Sequence, residues 1–208
     1  MSLKAFLSIC FARFVVKKNN VWKHNALEHQ QTIMHQLIAK AQKTAFGLDH
    51  SFSEIKCYSD FKKNIPIRDY EEIKIYIDRV VNGEQGVLWP RKPIYFCKTS
   101  GTTSGSKFIP ITKESMPFHL KAAKDAILTY ILETKNTSIV NGKMIFLQGS
   151  PVLTKTGSVL TGRLSGIVAH HIPFYLKKNR LPSFTTNSIE DWEKKVDAIV
   201  DETINENM

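Results

Sequence analysis

Cysteine is scarce in this chain: three residues (Cys10, Cys57, Cys97) in 208, widely spaced and odd in number. That excludes a disulfide framework and the paired-cysteine spacing of a structural zinc site, and it fits a reducing compartment, the cytoplasm by default. Long apolar runs are also missing, since none approaches the ~18 residues that a spanning helix needs. No membrane association is expected on that ground. The chain lacks internal repeats and low-complexity linkers. No Ser/His/Asp or Cys/His arrangement has a supporting motif, so a nucleophilic hydrolase is not indicated. The net charge of +10 lacks a nucleic-acid signature. Its basic residues come as scattered pairs (Lys17-Lys18, Lys62-Lys63, Arg91-Lys92, Lys177-Lys178) without zinc-finger or RNA-recognition spacing, and a solvated basic face is the simpler reading.

What is present describes a globular protein: 42% hydrophobic and 23% charged residues supply a core and a polar surface. AFLSICFA near the N-terminus resembles a short signal sequence, but Arg13 interrupts it and no small-residue cleavage site follows. Leu3, Phe6, Leu7, Cys10 and Phe14 fall at helical spacing, which predicts an amphipathic core helix. Residues 22–46 predict a second helix, with Leu27, Met34, Ile38, Ala41 and Ala45 on one face and Gly47 as its stop. Asp69 and Glu72 form a D-x-x-E capping box for a helix through Ile73, Ile77 and Val80, ended at Asn82-Gly83.

Strands are predicted at 93–97 (PIYFC) and 108–111 (FIPI), with Tyr95 and Phe96 as strand core. Thr112 is then the expected cap of a helix striped by Met116, Leu120, Ala123, Ile127 and Ile131. KMIFLQ (143–148) is nearly unbroken apolar sequence, as in a strand covered on both faces. Residues 149–166 read as loop with one strand, followed by helices over 167–178 and 191–204. His170 and His171 are adjacent, so on a helix they point about 100° apart and do not share a metal. Asp191, Glu193, Asp197, Asp201 and Glu202 read as a solvated helix face. Strands interspersed with long helices argue for α/β.

Between the two central strands lies KTSGTTSGSK (98–107), built only of Lys, Thr, Ser and Gly. Glycine lets backbone N–H groups turn toward one point, hydroxyls add donors, and a lysine adds charge, which together suit phosphate. The Walker A pattern does not fit: three residues separate Gly101 from Gly105, Ser106 precedes Lys107, and Phe108 stands where a Ser or Thr is required. The dinucleotide pattern G-x-G-x-x-G fails as well. A polar hairpin tip is the plain structural alternative.

The order of the loop resembles the phosphate-binding signature of adenylate-forming enzymes, the superfamily of acyl-CoA synthetases and luciferases. Ser104 occupies the usual place of the second glycine, Gly105 comes one place later, and no proline precedes Lys107. With that displacement the chain is similar to the auxin-responsive promoter family of acyl acid–amido synthetases. NIPIRDYEEIKIYIDRVVNGE (64–84) resembles the family's segment upstream of the loop, and residues 142–183 resemble bacterial members. The fold implied is α/β, the N-terminal portion of the large adenylate-forming domain, with a mixed sheet and flanking helices. Residues 1–208 are expected to be part of that ATP-binding domain, an incomplete fragment that does not turn over by itself.

The resemblance implies that Thr99, Ser100, Gly101, Thr102, Thr103, Ser104, Gly105, Ser106 and Lys107 wrap the phosphates of ATP, with Mg²⁺ held mainly by the phosphates and by groups outside the chain. Lys107 is the expected catalytic cation. Arg163, in G-R-L-S-G, is a candidate partner for the carboxylate of the acid substrate. The reaction implied joins a small carboxylic acid to an amino acid through an acyl adenylate. An acyl-CoA synthetase, a non-catalytic ATP- or anion-binding module and a basic nucleic-acid-binding domain are the alternatives. The identities of acid and amino acid, and the oligomeric state, are not legible.

Overall fold

The Asp69-x-x-Glu72 pattern closes on itself: Asp69 Oδ1 accepts from the Glu72 N–H, and Glu72 Oε2 accepts from the Asp69 N–H, both at 2.9 Å. The helix so started runs Tyr70–Val81 and ends at Asn82, with Gly83 at φ +96°, the left-handed region that favours glycine. It is one of a series set out by a computed structural model, which describes residues 3–99 and 107–206. In chain order the first elements are helices α1 (Leu3–His24), α2 (Ala26–Ala41), α3 (Ala45–Asp49), α4 (Tyr58–Asn64) and α5 (Tyr70–Val81), then strands β1 (Tyr95–Thr99) and β2 (Lys107–Ile111). After them come α6 (Met116–Thr134), α7 (Ser138–Asn141), β3 (Met144–Ile145), β4 (Thr154–Thr156) and β5 (Val159–Gly162). The remainder is α8 (Leu164–His170), α9 (Phe174–Lys177), β6 (Arg180–Leu181), α10 (Phe184–Asn187) and α11 (Trp192–Thr203).

These elements fall into two units. The hairpin unit comprises Val21–Glu114 and Lys155–Thr161; the other comprises Met1–Asn20, Ser115–Thr154 and Gly162–Met208. The hairpin unit contains a four-stranded sheet in the order β2-β1-β5-β4, with β1 and β2 antiparallel. The apolar stripe of α5 packs on it: Tyr76 and Val80 join Phe96, Val87 and Val159 in one buried cluster, with Phe108, Phe46 and Ile73 around it. Phe96 is fully buried. A second cluster joins Ile38 and Ala41 of α2 to Phe52 and Ile55.

The single helix expected over 22–46 is interrupted. Thr44 donates its hydroxyl to the Ala41 carbonyl (2.7 Å) and accepts from the Gly47 N–H (3.0 Å), so it ends one helix and caps the next. Gly47 is therefore inside α3 rather than a stop. A Cβ there would lie 2.2 Å from the Ala41 carbonyl oxygen, which explains why the residue is glycine.

In the other unit, α1 is helical as expected, but a different face is buried. Ala5, Ala12 and Val16 face inward, whereas Leu3, Phe6, Leu7, Cys10 and Phe14 are exposed. Ala12 packs against Leu128 and Ile131 of α6. Ile9 and Val15 pack at the edge of that cluster, while the larger side chains predicted to be buried are left outside.

The cap of α6 is Ser115, not Thr112. KMIFLQ forms only the two-residue β3, paired in parallel with β6 (Met144 opposite Arg180, Ile145 opposite Leu181). Its Ile145, Phe146 and Leu147 are exposed, so the expectation of a strand covered on both faces is not met. The loop at 149–166 holds two strands, β4 and β5, with Gly157 at φ +59° between them. The helix expected over 167–178 is two short ones, α8 and α9, broken at Pro173. No helix among the described residues is long and apolar enough to cross a membrane.

Candidate phosphate-binding hairpin

β1 and β2 bracket the Ser/Thr/Gly loop. Their register is Tyr95 to Ile111, Phe96 to Pro110, Cys97 to Ile109, Lys98 to Phe108 and Thr99 to Lys107. Directly opposite residues of an antiparallel pair share a face. Thr99 and Lys107 therefore stand side by side at the foot of the loop, while Phe108 turns to the other face and meets Phe96 edge-on at 5.8 Å. Pro110 is tolerated because β2 is the edge strand of the sheet, where a missing N–H costs no ladder bond.

The ammonium of Lys107 makes no ion pair among the described residues. It lies 5.1 Å from the centroid of the Tyr70 ring. Tyr70 also accepts, at its hydroxyl, a hydrogen bond from the Phe108 N–H at 2.8 Å. Tyr70 carries no local sequence signal for either contact; in the sequence it appears only within the 64–84 segment that resembles the family, directly after the Asp69 cap.

Of the residues expected to hold phosphate, Thr99 and Lys107 are thus brought together. Ser100, Gly101, Thr102, Thr103, Ser104, Gly105 and Ser106 lie outside the described residues. Arg163 belongs to the other unit, where it is the exposed N-cap residue of α8; its carbonyl accepts from the Ile167 N–H at 2.9 Å, and its guanidinium has no hydrogen bond or ion pair among the described residues. Its charge helps to lower the pKa of Lys195, an effect second to burial of that ammonium. Lys195 is a further residue that the sequence hid: 6% exposed on α11, it donates to the Asn187 carbonyl at 2.8 Å.

Glu202 departs from the expected solvated face. Its carboxylate accepts from the Ser183 N–H (2.6 Å), the Ser183 hydroxyl (2.7 Å) and the Thr186 hydroxyl. Burial alone would raise this carboxyl, but the hydrogen bonds from Thr186 and Ser183 outweigh it and hold it below the usual range. His170 donates its Nε2–H to the Pro151 carbonyl at 2.7 Å, a packing role. Among the described residues there is no group of three or more His, Cys, Asp or Glu side chains that could hold a metal ion.

Comparison with known proteins adds a family. Residues 16–195 match the family described as GH3 family N-terminal domain. The chain is 33% identical over 94 residues to the indole-3-acetic acid-amido synthetase GH3.15 of Arabidopsis thaliana, covering 44% of this chain and 16% of that protein. It is 34% identical over 113 residues to the 4-substituted benzoates-glutamate ligase GH3.12 of the same plant, covering 52% and 18%. A solved structure titled GH3.15 acyl acid amido synthetase superposes with a TM-score of 0.64 at 20% identity, covering 82% of this chain and 29% of that one. The chain thus spans under a third of the solved relative, and the matched segments are under a fifth of these two curated ones.

Proposed function

The chain belongs to the GH3 family through its N-terminal domain, and from that premise we propose that it supplies the ATP-phosphate-binding part of an acyl acid–amido synthetase. One observation carries the reading: in the β1–β2 register Thr99 stands opposite Lys107, which puts a hydroxyl and an ammonium together where the Ser100–Ser106 loop begins and ends. In this reading loop hydroxyls and N–H groups receive phosphate oxygens, and Lys107 offsets their charge as it builds in the transition state. The names of the two curated relatives, an amido synthetase and a glutamate ligase, support the same chemistry.

The proposed reaction has two steps. A carboxylate oxygen of the acid bonds to the α-phosphorus of ATP as the bond to pyrophosphate breaks. An amino acid nitrogen then bonds to the acyl carbon, AMP leaves with the C–O electrons, and the amine proton passes to solvent. Arg163 is proposed to meet the acid's carboxylate, its guanidinium suiting a bidentate pair. Residues 1–208 act as part of the adenylate-forming domain, in the cytoplasm. When bound, Mg²⁺ neutralises phosphate charge. Among the described residues no group of three or more His, Cys, Asp or Glu side chains fits such an ion.

The test uses the protein that carries this chain, incubated with ATP, Mg²⁺, a panel of small carboxylic acids and amino acids. The expected products are AMP and an acyl–amino acid amide. Formation of acyl-CoA with CoA supplied, and no amide with any amino acid, would contradict the reading in favour of a thiol-accepting ligase.

A further inference from the structure

We propose that Tyr70 is a positioning residue for Lys107: its ring holds the ammonium, and its hydroxyl pins the strand that carries it. The proposal rests on the phosphate-binding reading above and deepens it.

The argument begins at the sheet edge. β2 has β1 on one side only, so the Phe108 N–H on its open side has no ladder partner. Exposed edges of this kind shift and fray unless something covers them. Here the cover is one atom, the Tyr70 hydroxyl at 2.8 Å. That bond lies one residue from Lys107 and so fixes the backbone where the loop ends. The same side chain lies under the charge, with the Lys107 ammonium 5.1 Å from the ring centroid, within cation–π range.

Tyr70 is itself held. It is the first residue of α5, and the reciprocal Asp69/Glu72 bonds tie down the backbone on either side of it. One turn further, the α5 stripe packs into the same cluster as Phe96 and Phe108. A lysine has four rotatable side-chain bonds, and leaving them free would cost much of the attraction to phosphate on binding. Resting the ammonium on an aromatic face restricts it without neutralising it. A carboxylate in the same place would compete with the phosphate instead.

A tyrosine that only closes the sheet edge would support folding but not Lys107 in particular, and a double-mutant cycle separates the two. Tyr70→Leu keeps apolar bulk and removes both contacts; Tyr70→Phe keeps the ring and removes the hydroxyl. In acid-dependent ATP–pyrophosphate exchange by the protein that carries this chain, Tyr70→Leu is expected to raise KM for ATP about tenfold. Tyr70→Phe should raise it about threefold, and neither should move KM for the carboxylic acid. In a Lys107→Ala background Tyr70→Leu should add less than about twofold, because the group it positions is gone.

Independent, multiplying effects of Tyr70→Leu and Lys107→Ala would overturn the proposal. So would an equal rise in KM for the acid, or an unchanged KM for ATP in both Tyr70 variants while Lys107→Ala raises it. Should Tyr70→Leu fail to fold, Tyr70→Phe against Lys107→Ala gives the same cycle for the hydroxyl. An unchanged KM for ATP in Lys107→Ala itself would instead bring down the phosphate-binding reading, and the Tyr70 proposal with it.

Discussion

The two strand pairs, β1–β2 and β3–β6, are stabilised in different ways. The first is a five-residue antiparallel ladder whose side chains enter a core of their own unit, with Phe96 fully buried between Tyr76, Val80 and Val159. The second is a two-residue parallel ladder in which Ile145 is exposed and only Leu181 is buried. It is also laced by polar groups. Asn179 donates to the Gly142 carbonyl (2.8 Å) and Lys143 to the Lys178 carbonyl (3.1 Å). Arg180 bonds Gln148 and lies 4.7 Å from the Phe146 ring centroid. Just beyond β6, Ser183 is held by Glu202. Apolar burial dominates in the hairpin that presents Lys107, whereas the other pair combines the burial of Leu181 with polar contacts, several of them to charged groups.

Substitutions can break that contrast. The largest effect is expected at Phe96→Ala, which empties the centre of the hairpin's core and should cost about 3–5 kcal/mol in urea unfolding. A smaller loss, about 1–2 kcal/mol, is expected for Glu202→Gln, because a neutral amide replaces the ionised acceptor of the Ser183 N–H and of the Ser183 and Thr186 hydroxyls. This second effect depends on pH. The Glu202 carboxyl titrates lower in the folded than in the unfolded chain. Its contribution is therefore complete above the ordinary glutamate range and is lost as pH falls through the depressed value. The difference between wild type and Glu202→Gln should be steady at neutral pH and close in strong acid. Leu147→Ala, at a side chain 68% exposed, should change stability by less than about 0.5 kcal/mol. A loss at Leu147 as large as at Phe96 would erase the distinction between the two pairs.

Features set by neighbours in sequence were the legible ones. The Asp69/Glu72 box, the Asn82-Gly83 stop and the start of α11 at the Asp191 cap, which accepts from the Lys194 N–H, all depend on residues within one turn. The hairpin was legible because a polar Gly-containing stretch separates two apolar β-type runs. What depends on distant partners was not. Periodicity ranks side chains by hydrophobicity and chose Phe6 and Phe14 as the buried face of α1. The fold buries Ala5, Ala12 and Val16 instead, Ala12 against Leu128 and Ile131 of α6.

Thr44 and Pro173 did carry local signals, a capping side chain and a helix breaker, and weighing them would have divided both overlong helices. Glu202 looked like one acid among several; only the fold brings Ser183 and Thr186 to it. In the candidate site, Thr99 and Lys107 followed from the loop motif, but Tyr70 lies 37 positions before Lys107. Nothing in its own surroundings announces a hydrogen bond to the edge strand.

The central claim is that Lys107 serves the phosphates of ATP, and it is tested most directly by acid-dependent ATP–pyrophosphate exchange in the protein that carries this chain. Lys107→Ala should lower exchange at least about tenfold, equivalent to ~1.4 kcal/mol of transition-state stabilisation. Lys178→Ala, which removes an exposed lysine of the other unit, should leave exchange unchanged. Wild-type exchange from Lys107→Ala, or an equal loss from both variants, would contradict the account.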